Sequence, residues 1–172
     1  LVQCGGKNAN ISVPKENTML TDEHLTATHE YLQWQYQMQE IRFANPCSVQ
    51  ILLSDQESSV DIEAKNQCIM ELMDMLTKAK CLVIPIHSDN HWTVLTIKTA
   101  KQASCEITEI SYCDFCDMKY SSNRRYAELI LKYITEAAGV SFSLPYPQSN
   151  NFRQRKGSND CGLAVWYVLE SL

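Results

Sequence analysis

Apolar and polar positions alternate with different periods along the chain and divide it into segments. Thr21 followed by Asp22 and Glu23 reads as a helix N-cap with acids in the first turn, and Leu25, Leu32 and Tyr36 mark one face of a helix to about Gln39. Cys47 to Ser54 reads as a strand. Ile62 to Lys80 repeats apolar residues at 62, 69, 72, 73 and 76 and ends in lysines that suit a helix C-terminus. Cys81 to Ile86 then reads as a buried strand. Trp92 to Lys98 and Glu106 to Tyr112 alternate apolar and polar positions and are expected to pair as a hairpin. A helix is expected over Asn123 to Ala138, stopped by Gly139. After a short alternating segment, Val140 to Leu144, come a polar loop, Pro145 to Asp160, and an apolar helix from Cys161 to Leu172.

With 172 residues, 45% of them apolar, and only five glycines and five prolines, the chain suits one compact domain over 1–172 and not a linker-rich or disordered one. Its net charge of -5 has the wrong sign for a protein that binds by neutralising phosphates, so nucleic acid is not an expected partner. The longest apolar stretch, Cys81 to Ile86, contains Pro85 and is too short to span a bilayer, so no membrane is expected either. The chain begins at Leu1, which suggests excision from a longer parent. Eight cysteines would suit disulfides in a small secreted scaffold, but several lie within apolar runs where a free thiol packs as a small hydrophobe. A reducing, intracellular setting, nuclear or cytoplasmic, is the expectation.

The sharpest local signal is Gly157-Ser158-Asn159-Asp160-Cys161-Gly162, a polar turn that brings a cysteine to the start of an apolar helix. Unpaired N–H groups and the positive end of the dipole there favour the thiolate, the nucleophilic form. Gly162 would leave room for a substrate backbone. A cysteine nucleophile needs a base and a group to orient it, and His91 opens one strand of the hairpin while Asp114 closes the next. Antiparallel pairing puts both at the same edge of the sheet. Gln154, seven residues before Cys161, could aim its amide at an oxyanion beside the backbone N–H of Cys161. Asp117 and Gln148 are the nearby substitutes for the acid and the amide. Singly, each of these residues is more often a turn former, a cap or a buried thiol. The ordered set His91, Asp114, Gln154, Cys161, each at the end of an element, is what points to catalysis.

His91-Trp92-Thr93-Val94-Leu95, Ser111-Tyr112-Cys113-Asp114, and Gln154 ahead of Asp160-Cys161-Gly162 resemble the Ulp/SENP-type cysteine proteases that process ubiquitin-like modifiers, and more distantly the adenovirus protease. Leu20-Thr21-Asp22-Glu23-His24-Leu25 is similar to that family's amino-terminal Trp-Leu-Asn-Asp segment, so the resemblance runs from about 20 to 172. It implies an α+β fold in which a central mixed or antiparallel sheet carries His91 and Asp114 and packs against helices, with the nucleophile at a helix N-terminus. It also implies hydrolysis through a thioester acyl-enzyme without metal or cofactor, in a monomer whose partner is a ubiquitin-like protein, SUMO-type or ubiquitin. Trp92, with Asp22, would then line a narrow channel for the modifier's Gly-Gly tail. Three features depart from the family pattern: Met19 stands where the segment has tryptophan, Gln154 precedes Cys161 by seven residues where most relatives show six, and the sequence ends at Leu172 where relatives continue into a further helix.

Two rival readings follow from the same residues. Cys113 and Cys116 with His87 and His91 could close a zinc site in a binding module, although one CxxC with two histidines flanking a turn is only a partial match. The same superfamily also contains acetyltransferases with a similar Cys and His. Those need a denser basic cluster than Arg124-Arg125 or Arg153 with Arg155-Lys156 supplies.

Overall fold

Helix α1, Asp22–Tyr36, begins where Thr21 caps it: the Leu25 N–H reaches the Thr21 carbonyl at 3.1 Å, and the Thr21 hydroxyl and N–H both meet Nδ1 of His24. In this computed structural model the described residues are 2–4, 7–9, 20–36, 40–54, 58–100, 106–114, 122–145, 161, 162, 164, 165 and 168. A small antiparallel ribbon, β1 (Val2–Cys4) and β2 (Lys7–Ala9), precedes α1.

The expected strand over Cys47 to Ser54 is instead helix α2, Pro46–Leu53. Its start is set by Asn45, whose side chain accepts the Cys47 N–H at 2.8 Å, and by Pro46, whose fixed φ suits the first helical turn. The burial of Pro46, Val49, Leu52 and Leu53 has helical spacing, which the continuous apolar run conceals. Just before it, Ile41–Phe43 forms a short strand, β3, that the pattern did not announce. Helix α3, Ser59–Lys78, is opened by a capping box between Ser58 and Asp61 and buries Cys68, Leu72 and Leu76 at intervals of four.

Strands β4 (Cys81–Ser88), β5 (His91–Thr99) and β6 (Ile107–Cys113) follow as expected, and the sheet order is β3-β4-β5-β6. β3 runs parallel to β4, and the other two pairings are antiparallel. A register shift between Lys98 and Thr99 leaves Thr108 as an extra residue, so that Ile107 and Tyr112 both reach the same core. The β4–β5 turn holds Asp89 and Asn90 at φ 51° and 58°, a left-handed geometry that Asp and Asn tolerate better than other side chains.

Helix α4, Ser122–Ala138, ends at Gly139 with φ +68°. Residues 140–144 have no regular structure, and of the expected final helix, 161, 162, 164, 165 and 168 are helical. One face of the sheet, with Leu82, Ile84, Ile86, Leu95 and Ile97, is covered by α2, α3 and α4. The other packs Phe43, Val83, Trp92 and Val94 against Leu20, Leu25 and the helical residues Cys161, Ala164 and Val165. Among the described residues no helix is long and apolar enough to cross a membrane.

Candidate active site

His91 is the first residue of β5 and Asp114 directly follows β6, so the antiparallel ladder that pairs Val94 with Cys113 brings both to one end of the sheet. Their side chains meet there, with His91 Nε2 2.9 Å from Asp114 Oδ1. Burial is deep: His91 is 6% exposed, Asp114 9% and Cys161 2%. Cys161 comes from the opposite end of the sequence and hydrogen-bonds the same imidazole. Because Nε2 faces the carboxylate, the ring's other nitrogen is the one available to the thiol.

Burial pushes the Cys161 thiol up, but the hydrogen bond with His91, the backbone N–H of Trp92, the charge of His91 and the N–H of Gly162 outweigh it and hold the thiol below its ordinary value. An N–H of the helix that carries Cys161 can turn to its sulfur because the first N–H groups of a helix lack intrahelical acceptors. Burial likewise opposes the imidazolium of His91, yet the hydrogen bonds to Asp114 and Cys161 and their charges raise it to about 9. The two directions favour the same pairing, a more acidic thiol beside an imidazole that keeps its proton and is held by a carboxylate. Little water reaches the pair, so its mutual attraction is weakly screened.

Around it sit the other residues that the sequence singled out. The Trp92 indole is 1% exposed, donates its N–H to the Leu20 carbonyl at 3.0 Å and lies tilted against His87 at 4.5 Å between centroids. Gly162 is needed for packing: a Cβ there would stand 2.6 Å from Cβ of Leu20, so Leu20 occupies the space that the sequence reading left for a substrate backbone. Asp22 opens α1, and its side chain lies outside the described residues. Gln154, Gln148, Asp117 and Cys116 also fall outside them. Among the described residues no group of three or more His, Cys, Asp or Glu gathers in a geometry that could hold a metal, and His91 is already engaged by Asp114 and Cys161.

Leu20 entered the sequence reading only as part of the amino-terminal segment, with no role of its own, and Asn123 only as the start of a helix. Leu20 joins Trp92 to Gly162, and Asn123, on α4, donates to the His91 carbonyl at 2.8 Å. An asparagine at the head of an apolar helical stripe was the available signal for the second, and the resemblance of Leu20-Thr21-Asp22 to the amino-terminal segment was the one for the first.

The model of the Ulp1 protease family, C-terminal catalytic domain, matches residues 18–172. No curated protein matches the chain. Among solved structures, the Xanthomonas campestris effector protein XopD bound to ubiquitin is 17% identical with a TM-score of 0.66, over 96% of this chain and 80% of that one. The Chaetomium thermophilum Ulp1-like SUMO protease catalytic domain is 16% identical with a TM-score of 0.53, over 89% of this chain and 62% of that one. A de-sumoylating protease is 16% identical with a TM-score of 0.50, over 86% of this chain and 58% of that one. These likenesses are likenesses of fold.

Proposed function

Because this chain belongs to the Ulp1 protease family, a family of cysteine proteases that process ubiquitin-like proteins, we propose that it cleaves a SUMO-type modifier from a precursor or from a lysine conjugate, with Cys161 as nucleophile. The observation that carries the reading is the single imidazole shared by Asp114, from the neighbouring strand's end, and Cys161, from a distant part of the chain.

Sγ of Cys161 attacks the carbonyl carbon at the modifier's carboxy terminus, and the carbonyl electrons move to its oxygen. The backbone N–H of Cys161 and the amide of Gln154 hold that oxyanion. As the tetrahedral species collapses, the C–N bond breaks and the His91 imidazolium passes its proton to the departing amine. His91, now neutral, takes a proton from a water that attacks the thioester, and the modifier leaves with a free carboxylate while the thiolate and imidazolium are restored. Asp114 keeps the ring in the tautomer that leaves Nδ1 toward sulfur. Trp92 and Asp22 are assigned to the channel for the modifier's tail. The protein acts as an intracellular monomer, a setting consistent with the buried free thiols of Cys68 and Cys81 and with the net charge of -5.

Ubiquitin-like proteins bearing a carboxy-terminal electrophile, including SUMO and ubiquitin, are the test. A SUMO-type probe should give a covalent adduct that mass spectrometry places on Cys161. Adduct with ubiquitin alone would move the substrate to that modifier, and labelling at another cysteine would remove the nucleophile assignment. Gln154→Ala should lower kcat by about 10²- to 10³-fold with capture of the modifier retained. An undiminished kcat would mean that another donor completes the oxyanion site.

A further inference from the structure

Asn123 is out of character with the stripe that it heads. On α4 the buried positions Ala127, Ile130, Leu131 and Ile134 face the larger core, and Asn123, 1% exposed, lies four residues before Ala127 on the same side. Its NH2 group donates to the carbonyl of His91 at 2.8 Å and to the carbonyl of Ile86 at 3.4 Å. Those carbonyls belong to β5 and β4 on either side of the left-handed turn at Asp89 and Asn90. The preceding residue, Ser122, donates its hydroxyl to the Asp89 carboxylate. The first two residues of α4 therefore grip the turn and the strand end that carries His91. Oδ1 of Asn123 finds no partner among the described residues, so this buried amide serves the fold only through its two donors.

We propose that Asn123 is a positioning residue: by holding the backbone of His91, with Ser122 holding the turn, it sets the imidazole between Asp114 and Cys161. The proposal rests on the reading of His91 and Cys161 as the working pair. A carbonyl bond at the root of the side chain is an effective place to act, because a displacement of about 1 Å at a reacting group can cost about 10²-fold.

The test uses the full chain with Asn123→Leu, which keeps the size and suits the apolar stripe, and Ser122→Ala, which removes no fully buried group. Four quantities are read: thermal midpoint, the NMR titration of the His91 ring, the pH dependence of Cys161 alkylation by iodoacetamide, and turnover. Asn123→Leu should melt close to the parent protein. Its His91 midpoint should fall by a pH unit or more from about 9, toward the ordinary value. Alkylation of Cys161 at neutral pH should slow about tenfold, and kcat should drop by roughly 10- to 100-fold with KM unchanged. Ser122→Ala should move each readout the same way by less.

A folded Asn123→Leu protein with an unshifted His91 titration and unslowed alkylation overturns the proposal. So does a loss of kcat that merely follows the unfolded fraction. If Asn123→Leu fails to fold, Ser122→Ala decides, and an unshifted titration there overturns it too. Titration and alkylation need no substrate, so a protein that reacts with no modifier probe yet shows the shifted titration has lost the proposed substrate and kept this role for Asn123.

Discussion

Alternate residues of the same strands build two different surfaces. On one side, Leu82, Ile84, Ile86, Leu95, Ile97 and Tyr112 are almost wholly buried beneath α2, α3 and α4. On the other, Cys81, Val83, Trp92, Val94 and Cys113 meet Leu20, Leu25 and the residues around Cys161. The first side is close to continuous hydrocarbon, covered by helices whose own periodicity marks the face they bury. The second mixes an indole that needs an acceptor, thiols, and a glycine whose missing Cβ admits Leu20. His91 and Asp114 close the end of the sheet where these two surfaces meet. The contrast teaches that the hydrocarbon core and the proposed chemistry are divided between the faces, and that the side of the proposed chemistry is held by pieces far apart in the chain.

Substitutions can break that division or sharpen it. Cys161→Ala should abolish hydrolysis, a loss on the order of 10⁶-fold if it acts as other nucleophile deletions do, while the melting temperature stays near that of the parent. Measured turnover with a modifier substrate that survives this change would place the chemistry elsewhere. Asp114→Asn should follow with about 10⁴-fold, because the ring then loses both its tautomeric preference and a neighbouring charge. The same change should lower the His91 midpoint from about 9, read by NMR. If Asp117→Asn is the damaging substitution and Asp114→Asn is harmless, the acid is misassigned.

The pH profile carries the same signature. His91 is raised in the folded state, so its contribution to stability is complete below about 6.5 and fades as pH rises through about 9. Cys161 is lowered, so its contribution is present above its ordinary value of 9.0 and is lost as pH falls through the depressed one. The thiolate and imidazolium coexist between those limits, and kcat should form a bell whose alkaline limb lies near 9. A profile that still climbs beyond pH 10 would contradict the ion pair.

On the hydrocarbon side, Ile84→Ala should cost about 2–5 kcal/mol in denaturant unfolding, with kcat per folded molecule unchanged. A fall in kcat without a fall in stability would show the two faces to be coupled. The smallest effect is expected at the seam. Gly162→Ala forces a Cβ to within 2.6 Å of Leu20 and should destabilise by roughly 1–3 kcal/mol. Leu20→Ala in the same molecule should recover part of that loss, and a double-mutant cycle with no coupling would mean that the close approach is relieved in some other way.

Local pattern was enough for α1, α3, α4 and the β4, β5, β6 strands, because each carries a clear signal of its own: Thr21 and the acids after it for α1, the lysines that end α3, the short apolar run of β4, the alternation of β5 and β6, and Gly139 after α4. The order His91, Asp114, Cys161 was legible too, since each stands at the end of an element, and strand pairing alone puts the first two at one edge. Pro46–Leu53 was misread because a run of apolar residues looks the same in a buried strand and a short buried helix. There Asn45 and Pro46 held the better signal. β3 was invisible because three residues have no period, and only pairing with Cys81–Val83 makes them a strand. Likewise no local rule ties Leu20 to Trp92 and Gly162, or Asn123 to His91. Those contacts join residues 32 to 142 positions apart, and a residue's pattern reports which way it faces, not which distant backbone will come to meet it.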